Sequence, residues 1–291
     1  MKSHHARQAK LWLIFALFLC VVFWITKPNG DRGTTGERVA TEFYNDDYLT
    51  WQKPLNIFGA RVKGDLLHTF LGNDINSVLE FGCSAGHILA GLRGSISKKS
   101  CVEINEAARK YATREHDKQL NVFANTKSAK ENGVLADFIY STSVLEHCEC
   151  PLCELQNLKT VLQPAKGILL IGIRNDGTDL KQTFHNLNTD RNNHLYTWNE
   201  LLLSNLIKAA GFHVCNTRGQ YEAWVPPFEL AAYNADRLSY CRRGLSQGFR
   251  TSTYYIWSIS VLPGNERACD MLSRRLDRTQ NCSYLSPGAS E

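Results

Sequence analysis

Three small residues, Gly82, Ser84 and Gly86, stand at alternate positions in "VLEFGCSAGHILAGL". An apolar run precedes them and a helical pattern follows. Bare main chain of this kind lets a ligand approach closely, and the next helix start offers free N–H groups to anionic atoms. Glu103 comes 21 positions after Gly82, at the end of a second apolar run, "SCVEI". A carboxylate there can accept hydrogen bonds from both hydroxyls of a ribose. Loop and acid together predict an adenosine-containing cofactor. A dinucleotide site would need G-x-G-x-x-G, but the third glycine position holds His87, and no G-x-x-x-x-G-K-[ST] loop is present.

A second group of residues could handle protons. His147 follows Glu146 just after the apolar run "DFIYSTS", and His194 lies beyond the next strand. Either imidazole could serve as a general base. Cys148, Cys150 and Cys153 form C-x-C-x-x-C, which lacks the fourth ligand of a zinc site, and no metal is predicted.

These residues need a scaffold, and the apolar periodicity supplies one. "SVLEFG", "SCVEI", "NVFAN", "DFIYSTS" and "GILLIGI" read as strands. Between them "HILAGLRG", "EAARKYATREH" and "CPLCELQNLKTVLQPAKG" read as helices, with Asn105 the N-cap of the second. "TWNELLLSNLIKAAGF" adds a helix with Thr197 and Glu200 in capping-box spacing, and "FHVCNT" and "YYIWSISVL" complete seven strands. Such alternation predicts an α/β fold, a mostly parallel sheet with helices on both faces. Residues 219–253 interrupt the alternation as an insertion expected to shape the substrate side, and 264–291 reads as a polar tail.

The pattern E-x-G-x-S-x-G, carried by Glu80, Gly82, Ser84 and Gly86, resembles the nucleotide-binding motif of class I S-adenosylmethionine-dependent methyltransferases. Those usually show [DE]-x-G-x-G-x-G, so Ser84 departs at the middle glycine. The "VLEH" element, the "LQPAKG" helix end and the strand after it resemble the ubiquinone-biosynthesis-like (methyltransferase type 11/23) group, over about Asp46 to Pro263. The resemblance implies a Rossmann-like form of the sheet with an antiparallel last strand. It implies S-adenosyl-L-methionine as cofactor, with Glu80, Gly82, Cys83, Ser84 and Gly86 lining its methionine end. It also implies Glu103 on the ribose, Ile104 and Asn125 near adenine, and Ser141 and Thr142 beside the cofactor. Tyr48 and Trp51 would offer aromatic faces to a sulfonium. The implied activity is methyl transfer; the layout of the chain described below suggests O-methylation of a sugar or small-metabolite hydroxyl, with His147 or His194 as base. An NAD(P)-dependent oxidoreductase or a non-catalytic binding protein is the alternative.

The 291 residues, 43% hydrophobic and 21% charged, suit one large domain with appendages (42–263 for the core). A net charge of +5 without a basic run gives no reason to expect a nucleic-acid partner. Residues 11–26 carry no charge and place Trp12 and Trp24 near the ends, as a signal anchor does after the short tail 1–10. A Gly-rich stem, 27–41, follows. Ten cysteines and the sequon at Asn281 favour a lumenal catalytic domain in the endoplasmic reticulum or Golgi, with a small-molecule, glycan or lipid acceptor.

Overall fold

The strand with the densest apolar run, Ile168–Arg174 (β5), lies near the middle of a seven-stranded sheet and buries all but its last residue. Its neighbours are Phe138–Thr142 (β4), parallel to it, and Thr253–Val261 (β7), antiparallel. Beyond β4 come Ser77–Phe81 (β1), Lys98–Val102 (β2) and Asn121–Phe123 (β3), all parallel; beyond β7 lies His213–Glu222 (β6). The order is β3-β2-β1-β4-β5-β7-β6, with β7 alone reversed, as the family resemblance implies. A computed structural model describes residues 49–50, 60, 62–174, 194–222, 230–246, 253–279 and 282, all within one unit spanning Val39–Glu291.

Side chains along each strand alternate between two cores. Leu79, Ile139, Leu169 and Ile171 face one, under the helices Pro151–Lys159 and Glu200–Ala209 with their buried Leu155, Leu158, Leu203 and Ile207. Val78, Phe138, Tyr140 and Leu170 face the other, where Leu67, Phe70, Leu89 and Leu272 lie buried. Both faces of a parallel sheet are thus covered, which is why the central strands read as nearly continuous apolar runs. Each fully buried Leu or Ile contributes roughly 1.5–3 kcal/mol through burial.

The caps follow local chemistry. Asn105 Oδ1 accepts from the Ala108 N–H (2.9 Å) at the start of Glu106–Glu115, as predicted. The next cap differs from expectation: Asn199, not Thr197, holds the Leu202 N–H (2.9 Å) and starts Glu200–Ala209. An asparagine directly before the helix outranks a threonine two residues earlier.

The 219–253 stretch also differs from a simple insertion. β6 continues to Glu222, and two helices, Leu230–Ala235 and Arg237–Ser246, follow. Tyr233 and Tyr240 pack edge-to-face (5.6 Å) against Val62, and Asp65 accepts from Tyr233 and Arg237 (2.8 Å each). Nor is the described part of the tail, 264–279, merely a polar appendage. The helix Cys269–Thr279 buries Leu272 and Leu276 in the second core, with its polar face held by Arg218–Asp277 (2.7 Å) and Thr279–Gln220 (2.7 Å). Its polar composition concealed an apolar stripe at i, i+4, the spacing of one helix face.

The apolar segment 11–26, the stem, Tyr48 and Trp51 lie outside the described residues. Among those described, no helix is long and apolar enough to cross a membrane.

Candidate active site

The glycine loop leaves β1 at the carboxyl edge of the sheet, where open α/β folds collect ligands. Its backbone turns through the left-handed region at Gly82 (φ 79°), Ser84 (φ 48°) and Gly86 (φ 76°). At Gly82 a side chain is excluded twice, by that φ and by the isopropyl group of Val144, which fills the space a Cβ would take. Ser84 bears the rarer strain of a non-glycine residue there. What holds it is Glu103: one carboxylate oxygen accepts from the Ser84 N–H (2.7 Å), the other from the Asn105 N–H (2.8 Å). Arg109 fixes the Glu103 segment by donating to the carbonyls of Glu103 (2.8 Å) and Ile104 (2.6 Å).

Cys83 points inward rather than towards a ligand and is joined to Cys101 of β2 by a disulfide. Its main chain belongs to the loop, but its side chain staples that loop to the adjacent strand. Behind Gly86, His116 Nε2 sits 3.1 Å from the Ala85 carbonyl, and its ring meets that of His87 edge-on (5.1 Å).

Glu80 lies beneath the loop, 2% exposed. Its Oε2 and the hydroxyl of Tyr140 make no hydrogen bond of good geometry among the described residues, yet the two groups are near enough to act on each other. Burial pushes the Glu80 pKa up to about 8, with Tyr140 pulling it back and the charge of Glu103 adding to the rise. Burial also raises Glu103, opposed by the Asn105 and Ser84 amides and by Arg109.

The other predicted cofactor residues divide. Ile104 exposes 48% of its surface at the edge of the loop, an apolar side chain left open where adenine would stack. Asn125 accepts from the Ser128 N–H (2.8 Å) as the cap of an unforeseen helix, Thr126–Glu131, so its Oδ1 has a structural duty. Ser141 is buried and donates to the Phe81 carbonyl (3.0 Å), tying β4 to β1. Thr142 ends β4 half-buried.

On the other side of the same edge, the short helical turn Leu145–His147 follows β4. His194 arrives from the far end of a separate segment, because the Leu195 N–H donates to the Glu146 carbonyl (2.8 Å) and the Tyr196 hydroxyl to the Glu149 carbonyl (2.8 Å). The His147 and His194 rings stack at 4.8 Å between centroids. The two imidazoles the sequence singled out are therefore neighbours. What the sequence reading passed over is Glu146, buried beside them with a carboxylate oxygen 3.5 Å from the Arg174 N–H. Cys150 and Cys153 form a disulfide, which removes both from zinc binding. Burial, with Glu154 and Glu146 nearby, pushes the Cys148 thiol up to about 12.

A glycine turn after β1, an acid after β2 and the sheet order place the chain among the Rossmann-like methyltransferase folds. The family profile described as Methyltransferase domain matches residues 55–217, and the chain belongs to that family of S-adenosylmethionine-dependent enzymes. This match sets aside the oxidoreductase alternative. No curated protein sequence matches the chain. Among solved structures, similarity extends to a Haloferax volcanii protein in complex with the methyltransferase activator Trm112, at 12% identity and TM-score 0.55, covering 77% of this chain and 98% of that one. The plantazolicin methyltransferase BpumL, in complex with SAH, is similar at 15% identity and TM-score 0.50, covering 77% and 93%. The phosphoethanolamine N-methyltransferase 2 of Haemonchus contortus is similar at 14% identity and TM-score 0.52, covering 78% of this chain and 61% of that one. At these identities the likeness concerns the fold.

Proposed function

We propose that this methyltransferase binds S-adenosylmethionine across the glycine loop and Glu103, and methylates a hydroxyl of a sugar or small metabolite held near His147 and His194. The observation that carries the reading is the pairing of Glu103 with the Ser84 amide, which sets loop and acid against each other at the ligand edge. The residues fit the cofactor: Glu80 offers a buried carboxyl beneath the loop, where the methionine end carries positive charge.

Bound there, the cofactor supplies a methyl group already activated on a sulfonium. The chain's own task is chiefly placement, which can contribute about 7–11 kcal/mol. Glu103 holds the ribose, Ile104 covers the base, and the loop main chain takes the methionine end. An alcohol must lose its proton as the O–CH₃ bond forms, and the adjacent imidazoles are the groups placed to bring that about.

Four disulfides among the described residues support an oxidising compartment: Cys83–Cys101, Cys150–Cys153, Cys215–Cys269 and Cys241–Cys282. With the apolar segment 11–26, they favour a membrane-anchored enzyme with its catalytic domain in the secretory lumen. Glycosidase treatment tests this, since a lumenal domain glycosylated at Asn281 would lose mass that the Asn281→Gln protein never had.

The cofactor assignment is tested by calorimetric titration of the full-length chain with S-adenosylhomocysteine, beside Glu103→Ala. Saturable binding that the variant loses supports the site. Absence of binding to folded protein would remove it. A screen of labelled methyl transfer to sugars, small alcohols and quinols then reads the acceptor class.

A further inference from the structure

Glu146, His147 and His194 each present one ligand atom, and these atoms all lie within 4.8 Å of one another. Two imidazole nitrogens and one carboxylate oxygen are the donors of divalent-metal centres that keep positions open for substrate. Zinc bound tetrahedrally at about 2.1 Å brings its ligand atoms to about 3.4 Å from each other. Side-chain rotation of the two half-buried histidines can close that difference.

The three donors come from only two segments, and main-chain bonds hold these together. Leu195 donates to the carbonyl of Glu146, so His194 is fixed against the very turn that carries the other two ligands. The Arg174 N–H, at the end of β5, faces the Glu146 carboxylate and orients it, as an outer-shell donor does for a metal-binding carboxylate. Two residues before Glu146, Val144 lies against Gly82 of the glycine loop, so the triad adjoins the cofactor side of the edge.

We propose that Glu146, His147 and His194 bind one borderline divalent cation of the zinc type, and that this cation receives the acceptor's hydroxyl oxygen. Its use in catalysis rests on the methyltransferase reading above; the binding itself does not. Coordination acidifies the hydroxyl and its proton passes to solvent. The oxygen lone pair then forms the O–CH₃ bond while the S–CH₃ electron pair returns to sulfur, leaving a neutral thioether. The histidines then promote the loss of that proton through the metal they hold, in place of the direct base role given above. The acceptors best suited are those with two adjacent oxygens, vicinal diols or catechol-like rings, which can occupy two open positions.

The test uses the full-length chain in mild detergent, stripped with a chelator, and titrated with ZnCl₂ alone, with MgCl₂ as the contrast. One zinc per chain is expected, with magnesium failing to compete, since imidazole donors disfavour it. His194→Ala should weaken zinc at least roughly tenfold, and His147→Ala similarly, while melting temperature and S-adenosylhomocysteine affinity stay near those of the parent. Cobalt(II) should give visible absorption bands in the parent that both variants lose. Absence of saturable zinc binding, or binding unchanged by His194→Ala, overturns the proposal. Cofactor binding that persists in that case leaves the methyltransferase reading standing. Loss of cofactor binding with zinc intact would do the reverse.

Discussion

The two halves of the ligand edge are built differently. On the β1–β2 side every functional group sits at a strand end or within a few residues of one: Glu80 and Gly82 around the end of β1, Glu103 just after β2. On the β4–β5 side, His147 and His194 are 47 positions apart in sequence and meet where Leu195 bonds to Glu146 and Tyr196 to Glu149. Parallel strands deliver the first set to one edge by register alone, with Phe81 opposite Val102. The second set depends on where a long connection returns. The cofactor side should therefore respond to changes in single residues, and the acceptor side to whatever holds its segments in place.

The sharpest break of this contrast is Gly82→Ala. A methyl group there must adopt a left-handed φ and displace Val144, at a cost of roughly 3 kcal/mol. Calorimetry should show S-adenosylhomocysteine affinity reduced on the order of 100-fold. Parent-like affinity would mean that the loop does not touch the cofactor.

Glu103→Ala comes next. It removes the ribose acceptor and releases the Ser84 amide, and charge-assisted hydrogen bonds of about 1.5–3 kcal/mol imply a 10- to 100-fold loss. Away from both sides of the edge, the paired Cys215→Ser, Cys269→Ser change cuts the link between β6 and the last helix, which closes a loop with a sequence separation of 54. Chain-entropy arguments put its contribution at about 4 kcal/mol. Thermal melting should fall by about 10 °C while cofactor affinity at 20 °C stays within about twofold, because no β1–β2 group takes part.

Glu80 gives a pH signature. Its carboxyl titrates near its ordinary value when unfolded and at about 8 when folded, so the native state holds the proton more tightly. Its contribution to stability is greatest below the unfolded pKa, declines as pH rises between roughly 4.5 and 8, and is flat above. Glu80→Gln should flatten that decline in denaturant titrations across the window. An unchanged slope would show that the carboxyl is solvated. The smallest effect separates the two candidate caps: Asn199→Ala should cost about 1 kcal/mol, and Thr197→Ala close to nothing.

Much of this architecture was legible in the chain because its cause is local. A residue buried on both strand faces must be apolar, so β1, β4 and β5 declare themselves, and Asn105 marks its helix by a bond three residues on. The last helix was harder to read, since Leu272 and Leu276 are two apolar residues among charged ones, and only a core waiting for them gives them meaning. Asn125 has a second duty that its sequence context did not announce. Its position at a strand end suited a ligand, but the same position suits a cap, and the Ser128 amide took it.

By itself, then, the sequence determined the succession of the seven strands, the bare turn at Gly82–Gly86 and the acid that faces it. These follow from periodicity and from spacing within about 25 residues of one another, where the βαβ unit leaves the chain little choice of path. Only the tertiary structure decided that Cys83 bonds Cys101, that the polar tail closes the sheet, and that Glu146, His147 and His194 share one place. Such pairings depend on how connections return across the fold, and no local preference of the chain encodes that.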